Sequence, residues 1–376
     1  MDNLAHTLVG LAAAKAGLER ASPYATAVCV VAANAPDADI LATYRGRWFY
    51  LENHRGITHS IVGTLALAVL IPLIFYAIEK LIARLRGKPQ RIRLGGLMLA
   101  SLLASATHPL MDWTNNYGVR PFLPWSGKWY YGDLVFIVDP WLWLVVGGAV
   151  FLATARNGLR TAAWTALAVV ITLVILFVRA DVPVASRALW LAGVVGFATA
   201  HHFKVAARFG RAIPALALAF VPAYWCALAV VHARAVRAGE MVMRDLAGAN
   251  GEATKRLAAM PSLANPARWR VVGETDRADY VLQMNLATSA GVSATTQTAA
   301  RYEKLSGTDA ERLNQLARAD ERARIFLNFA RFPLARIVQS PDGESRAQLF
   351  DLRFNEPSAS APRGAFAVEL PLGKQP

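Results

Sequence analysis

The chain has 376 residues, of which 55% are hydrophobic, and a formal net charge of +14. The apolar fraction exceeds that of ordinary soluble proteins and indicates a membrane protein. Residues 1–232 hold 20 Lys and Arg against 10 Asp and Glu, whereas the remainder holds 20 against 16. Most of the excess positive charge therefore lies between apolar segments, where basic residues set the orientation of a membrane protein. Because orientation accounts for these charges, a nucleic-acid partner is not expected. With only two cysteines, a disulfide framework and a Cys-based zinc site are excluded.

Apolar segments follow one another through the first 232 residues. Four approach the roughly 20 residues that a membrane crossing requires: 61–78, 161–178, 186–203 and 213–231. Two more, 94–113 and 140–155, fit if the polar side chains at their ends face protein rather than lipid. Two shorter stretches, 4–18 and 24–34, are either thin crossings or a hairpin packed among the others. The sequence therefore predicts an all-α polytopic bundle of six to eight helices.

The basic residues between these segments predict an orientation. If all eight segments cross, thirteen of the 20 basic residues fall in one set of connections and seven in the other. The basic-rich set is expected in the cytoplasm. This topology puts the chemistry-bearing histidines and aspartates, and the whole chain beyond His232, on the outer side of a multi-pass plasma (inner) membrane protein.

Residues 233–376 have a different composition, with shorter apolar runs and more charge. They predict a small soluble α+β domain on the extracytoplasmic side. Strands are expected at 268–274 and 280–288, and a helix at 309–330. A hairpin is expected from 336–340 and 347–354, joined by a turn at 341–344.

The first candidate for chemistry is the pair His108 and Asp112 at the end of an apolar segment. Residues four apart lie on one face of a helix, close enough to bind one ion. The alternative is a capped helix end with an interfacial histidine. Because polar side chains are costly inside a membrane, their presence here favours a functional role.

A second candidate motif comes just before the long apolar segment at residue 61. His54 and His59 lie five residues apart, and Thr58 between them could instead cap the following helix. At least one of the two histidines is expected to bind metal. Arg55 either steadies a phosphate group or pairs with Glu52.

Asp37 and Asp39 follow Pro36, which ends the preceding helix. One carboxylate could bind metal while the other binds alone, acts as a general base or holds a ligand histidine. An Asx-type turn is the alternative for Asp39. His6 lies on an otherwise apolar helix, where a lone histidine is usually a core residue, but the predicted topology brings it to the same side. Asp139 reads as a helix N-cap before Pro140 and is, with Asp133, a weaker ligand candidate.

These residues together predict a metal site. Histidines and carboxylates without cysteine suit Zn²⁺, or else Mn²⁺ or Fe²⁺, and enough ligands are present for two ions. The predicted ligands are His6, Asp37, Asp39, His54, His59, His108 and Asp112. Since no nucleophile elbow or Walker-type loop is present, a metal-activated water is the expected nucleophile.

The combination of motifs resembles a known family. His6-Thr7 with Gly10, Pro36-Asp37-Ala38-Asp39, the stretch from His54 to Ser60, and His108 with Asp112 occur in the order found in the LexA-regulated, inner-membrane-associated metal-dependent hydrolases (YdjM-like). The resemblance covers about the first 150 residues and implies hydrolysis with a bound metal. More remotely, the pattern is similar to zinc-dependent phospholipases C and single-strand-specific zinc nucleases, which implies phosphodiester cleavage. A further downstream H-x-x-x-D pair of those enzymes is missing here.

The sequence thus predicts a membrane-bound metal-dependent hydrolase that cleaves an ester or phosphodiester. Its partners are expected to be the bilayer and a small-molecule or lipid substrate, since seven aromatic residues between Trp113 and Tyr131 mark a membrane interface. Two alternatives stay open. The polar groups could line the pathway of a transporter or channel, or the membrane part could anchor a tail that binds a partner in the cell envelope.

Overall fold

The computed structural model describes residues 1–178, 182–287, 299–339, 345–357 and 366–373. The chain forms two compact units. The first contains residues 1–40, 55–229 and 262–266, and the second contains 41–54, 230–261 and 267–376. Each unit has its own hydrophobic core. The turn predicted at 341–344, and most of the residues after 357, lie outside the described ranges.

The N-terminal part of the chain is helical. Its α-helices are α1 (Asn3–Ala16), α2 (Ala25–Asn34), α3 (Arg47–Asn53), α4 (Ile61–Leu85), α5 (Leu94–Trp113), α6 (Pro140–Thr154), α7 (Gly158–Phe177), α8 (Val184–His202), α9 (Val205–Phe209) and α10 (Ala212–Ala249). Two longer connections between them contain 3₁₀ helix, at Ala35–Arg45 and Ile57–His59. A third 3₁₀ segment, Leu18–Arg20, follows α1.

Within the described ranges, five helical segments are long and apolar enough to cross a membrane. They are Ala25–Arg45, Ile61–Leu85, Leu94–Trp113, Gly158–Phe177 and Ala212–Ala249. Helix α1 has 14 residues and α6 has 15, so both are shorter than a full crossing. Helix α8, predicted as a crossing, lies outside the five, because Arg187 near its start and two histidines at its end lower its hydropathy. The eight-crossing topology stays a prediction.

Small side chains allow α1, α2 and α5 to approach one another closely. Gly10 of α1 faces the backbone of α2, and a Cβ atom at this position would lie 2.7 Å from the carbonyl oxygen of Cys29. Alanines on all three helices are completely buried, at Ala5, Ala12, Ala32, Ala33, Ala100 and Ala104. Such residues let helix backbones pack without intervening side chains. This packing brings the C-terminal end of α5 next to the N-terminal end of α1 and the C-terminal end of α2.

The second unit contains two sheets, which confirms the predicted α+β architecture. One has the strand order β1 (Arg256–Ser262), β2 (Asn265–Glu274), β3 (Ala278–Asn285), β4 (Ala299–Glu303). The other consists of β5 (Pro333–Gln339), β6 (Ser345–Asp351) and β7 (Ala367–Gly373), all paired antiparallel. Pairs β2–β3 and β3–β4 are antiparallel as well. Trp269, Val271 and Leu282 form part of a core with the second half of α10.

Two details of the tail differ from the prediction. The segment 309–330 is not one helix but two, α11 (Gly307–Ala319) and α12 (Glu321–Phe329). The break lies at Asp320, whose carboxylate accepts hydrogen bonds from the backbone N–H groups of Arg322 and Ala323 and so caps α12. In addition, α10 continues to Ala249 rather than ending where the apolar sequence ends near His232.

Candidate metal centre

Helix α5 carries the central pair of the site. His108 and Asp112 are one helical turn apart, and both side chains are completely buried. The nearest atoms of the pair, His108 Nε2 and Asp112 Oδ2, are 3.5 Å apart. The predicted i, i+4 geometry is therefore present at the C-terminal end of this apolar helix.

A tight connection before α4 positions His59. The 3₁₀ turn Ile57–His59 leads directly to Ser60, whose hydroxyl caps α4 by accepting a hydrogen bond from the N–H of Gly63. Glycine is required at position 63 because a Cβ atom there would lie 1.8 Å from the carbonyl oxygen of Ile57. The cap is thus Ser60 rather than the predicted Thr58. The turn buries the imidazole of His59 completely.

Two carboxylates enter from the 3₁₀ helix that follows α2. Asp37 Oδ1 lies 3.3 Å from Nε2 of His59 and 3.5 Å from Nε2 of His108. Asp39 contacts the other side of the His59 ring, with its Oδ2 atom 3.3 Å from Nδ1. It also accepts a hydrogen bond of 2.9 Å from the backbone N–H of Arg55. The two aspartates therefore occupy different places around His59.

Four side chains converge on one point. One ligand atom each from Asp37, His59, His108 and Asp112 lies within 4.8 Å of the other three. The two imidazole Nε2 atoms are 3.1 Å apart, and Asp112 Oδ2 is 3.2 Å from Nε2 of His59. We refer to these four residues as the His/Asp cluster. Two nitrogen and two oxygen donors form a set that binds divalent transition metals.

The hydrogen-bond partner of His108 directs its Nε2 atom towards the cluster. Nδ1 of His108 is 2.6 Å from the carbonyl oxygen of Ala33, which can only accept, so Nδ1 carries the proton. Nδ1 of His59 lies 3.3 Å from Oδ2 of Asp39 and 3.1 Å from the hydroxyl oxygen of Thr58. With a proton on Nδ1 of each ring, both Nε2 atoms present lone pairs beside the two carboxylates. In that tautomer the four side chains would all be able to bind one cation.

Asp112 has further partners on its second oxygen. Oδ1 lies 3.1 Å from a guanidinium nitrogen of Arg55 and 3.4 Å from Nε2 of His6, and the amino group of Met1 also contacts it. The His6 ring stacks on that of His108, with centroids 3.7 Å apart and planes at 15°. His6 is completely buried, and neither of its ring nitrogens has a hydrogen bond in the part of the chain described. It borders the His/Asp cluster on the α1 side.

Arg55 is buried and bonded to the protein in several directions. Its Nη1 atom donates to the carbonyl oxygens of Asp112 and Gly118 and to the side chain of Asn115, at 3.0 to 3.2 Å. Its guanidinium lies over the ring of Tyr117, 4.7 Å from the centroid. Its backbone has a positive φ of 52°, which is costly for a residue other than glycine. Arg55 thus fixes the loop after α5 to Asp112.

Three other candidate residues are not members of the His/Asp cluster. His54 belongs to the second compact unit, where its ring stacks on Tyr50 at 4.7 Å, and its ligand role stays a prediction. Asp139 is the N-cap of α6, as its position before Pro140 predicts, and also accepts from the hydroxyl of Tyr224. Asp133 is buried in the loop between α5 and α6.

Three contributors to the site were missed by sequence reasoning. They are the carbonyl of Ala33, the side chain of Asn115 and the absence of a side chain at Gly63. Asn115 also accepts a hydrogen bond from the N–H of Tyr117 and so shapes the loop that Arg55 binds. A polar Asn-Asn pair directly after an apolar helix was a signal for it. The other two contribute through the backbone, so the side-chain types in the sequence do not indicate them.

Comparison with known proteins places the site in a family. The family model of the YdjM inner membrane protein matches residues 1–182, just under half of the chain. This region of the chain is therefore similar to the YdjM inner membrane proteins. The YdjM-type region includes the whole His/Asp cluster and ends before α8. The family recognised from the motifs is therefore confirmed.

A relative is the uncharacterized protein YfhP of Bacillus subtilis (strain 168). It is 32% identical over 152 residues, which is 38% of this chain and 43% of the relative. The chain thus matches less than half of that protein's length. No solved structure matches the chain. Together with the apolar helices, the YdjM match identifies a membrane protein whose cluster of histidines and aspartates could hold a metal ion.

Proposed function

We propose that the protein is a membrane-bound metal-dependent hydrolase that cleaves an ester or phosphodiester. The observation that carries this proposal is the meeting of four metal-ligating side chains at the buried ends of apolar helices. Two carboxylates buried beside two imidazoles are costly unless their charges are compensated. A divalent cation would compensate them.

Asp37, His59, His108 and Asp112 would hold the metal, and Zn²⁺ is the ion that their donor set suits best. Such an ion would supply hydrolytic chemistry by lowering the pKa of bound water to about 7. Asp39 holds the His59 ring in the tautomer that turns Nε2 to the cluster. Arg55 neutralises Oδ1 of Asp112 and leaves Oδ2 available to the cluster.

A lipid-derived substrate is the class that the surroundings favour. Large aromatic side chains between α5 and α6 are exposed, with Trp113 at 41%, Phe122 at 45% and Trp125 at 79% of their surface accessible. Exposed tryptophan is typical of the headgroup level of a bilayer. A substrate held at that level would reach the loop that Arg55 and Asn115 connect to Asp112. Arg55 is already bonded within the protein, so a direct contact with a phosphate is not needed for its role.

Elemental analysis of the detergent-purified chain tests the metal. We expect the wild type to retain a transition metal through gel filtration, and Asp112→Ala and His59→Ala to lose it while keeping their helical circular dichroism. Asp245→Ala is the control, because Asp245 is an exposed carboxylate of α10 far along the sequence from the cluster. A metal-free wild type of full stability would end the proposal.

Hydrolysis is tested with generic substrates. Bis(p-nitrophenyl) phosphate and a p-nitrophenyl ester should be turned over by the metal-loaded protein, and Asp112→Ala should reduce the rate at least about a hundredfold, since activation of water by the metal is lost. In proteoliposomes the same protein should show no metal-dependent cation flux. A flux abolished by Asp112→Ala, without turnover of either substrate, would favour the transporter instead.

The orientation is part of the proposal. We place the His/Asp cluster and the second compact unit on the extracytoplasmic side of the inner membrane, because the basic-rich connections are expected in the cytoplasm. Lys88→Cys and Lys128→Cys make a matched pair, since both lysines are exposed in connections of opposite predicted side. With the exposed native thiol removed by Cys226→Ser, a membrane-impermeant maleimide applied to intact spheroplasts should label position 128 only. Labelling of position 88 alone would reverse the orientation.

A further inference from the structure

A wide cavity lies in the first compact unit at the other end of α1 from the His/Asp cluster. Its volume is about 920 Å³. His6 and Lys15 mark the two ends of α1, and nine residues of helix separate them by about 14 Å. The cavity is formed where α1, α6 and α8 end and where α7 and α10 begin. None of its lining residues belongs to the cluster.

The lining is strongly basic. Five cationic side chains line this cavity, against the single carboxylate of Glu19: Lys15, Arg20, Arg156, Lys204 and Arg211. Glu19 is paired with Lys15 at 2.5 Å. In the part of the chain that the structure describes, no carboxylate contacts the other four. The side chains of Asn157, Thr161 and two histidines of α8 add polar hydrogen-bonding groups.

Membrane orientation explains the charges but not their arrangement. All five cations belong to the basic-rich connections predicted in the cytoplasm, and that rule asks only that they flank the crossings. Here they come from three of these connections and surround one concave space. Like charges that share a cavity repel one another, and this repulsion lowers the stability of the empty form. A bound anion would relieve it.

We propose that this basic cavity binds a phosphate-bearing anion, either the headgroup of an anionic phospholipid or free phosphate. Arginine matches phosphate oxygens in a bidentate manner, and basic pockets between helices at the cytoplasmic surface suit lipid headgroups. A volume of about 920 Å³ is large enough for a headgroup with its glycerol. The site is separate from the proposed hydrolase site and does not depend on it.

The test uses the full-length chain in detergent with two probes. Thermal unfolding is followed while inorganic phosphate, or phosphatidylglycerol in mixed micelles, is added, with phosphatidylcholine micelles and sodium chloride of equal ionic strength as references. Native mass spectrometry then counts retained phosphatidylglycerol. The test variant is R156Q/K204Q/R211Q. The control is R84Q/R86Q/K88Q, which removes the same charges from exposed residues of a connection outside the cavity.

We expect at least one probe to stabilise the wild type more than its reference does, and the cavity variant to bind that probe at least tenfold more weakly than the control variant. Protection by phosphatidylglycerol alone identifies a lipid headgroup, and equal protection by inorganic phosphate identifies the free anion. The proposal is overturned if neither probe exceeds its reference, or if both triple variants weaken binding equally. Circular dichroism of each variant confirms that it is folded.

Discussion

Nδ1 of His59 lies 3.3 Å from Oδ2 of Asp39, and this contact fixes which ring nitrogen of His59 faces Asp112. Asp39→Asn keeps the shape of the side chain but removes the negative charge. We expect the variant to bind metal about 10- to 100-fold more weakly, the range typical for loss of a carboxylate behind a ligand histidine. Competition with a chelator of known affinity measures the change. An unchanged affinity would show that Asp39 has no such role.

Gly63 is expected to be irreplaceable even by alanine. The added methyl group would lie 1.8 Å from the carbonyl oxygen of Ile57, so the turn that holds His59 must move. Gly63→Ala should destabilise the protein by about 1–3 kcal/mol and lower metal retention. Gly95→Ala is the matched control, because Gly95 is also helical and nothing lies within 4 Å of its added methyl group. Thermal unfolding that ranks the two variants equally would contradict this reading.

Arg55→Lys keeps the positive charge but loses the planar guanidinium group, which can donate to several acceptors at once. One ammonium group cannot contact both Asp112 Oδ1 and the three acceptors that Nη1 now satisfies. We expect the free energy of unfolding to fall by about 2 kcal/mol or more, which lowers the unfolding temperature. We also expect faster proteolysis between residues 113 and 135. The exposed Arg84→Lys should behave like the wild type. If both variants were equally stable, the bonds of Arg55 would contribute little.

Asp279 in the second compact unit should make stability depend on pH. Burial raises the pKa of its carboxyl to about 6, while Lys304 partly offsets this and Glu274, directly opposite on β2, adds to it. In the folded protein the pKa of this carboxyl lies above the unfolded value of 3.8, so folding favours its neutral form. The free energy that the neutral form contributes to folding is therefore fully present below pH 3.8 and is lost as the pH rises through 6.

Asp279→Asn removes this dependence. At pH 8 the variant should be more stable than the wild type by about 2 kcal/mol, and near pH 4 the two should be similar. Hydrogen exchange of the β3 amides in the full chain, corrected for intrinsic rates, measures the difference. Exposed Asp276, whose neutralisation should change little, provides the control. A variant that is less stable at pH 8 would show that the charged form of Asp279 is the favoured one.

The sequence was sufficient for those parts of the site that rest on local periodicity. The pairing of His108 with Asp112 follows from helical spacing, and the N-cap role of Asp139 follows from the proline after it. The roles of Asp37 and Asp39 could not be separated, because the 3₁₀ helix that carries both residues was not predicted. That conformation is set by contacts across the fold.

The secondary structure of residues 233–376 was likewise predicted only where the local sequence pattern is strong. The strands predicted at 268–274 and 280–288 correspond to β2 and β3 because their apolar pattern is strong, although β3 ends at Asn285 and residue 288 lies outside the described ranges. Strands β1, β4 and β7 were not predicted, since their sequences have little alternation and their pairing partners supply the register. The single helix expected at 309–330 was wrong because Asp320, inside that range, caps a second helix.

The alanine and glycine contacts among α1, α2 and α5 have a mechanical consequence for the cluster. Alanine has no alternative rotamers, so these helices cannot adjust to one another by side-chain rearrangement. A larger residue at Gly10 or Ala33 would push the helix backbones apart and tilt the helices. The tilt would displace His6 and His108. Tolerance to substitution should therefore be low along this helix contact, although its residues are not themselves members of the His/Asp cluster.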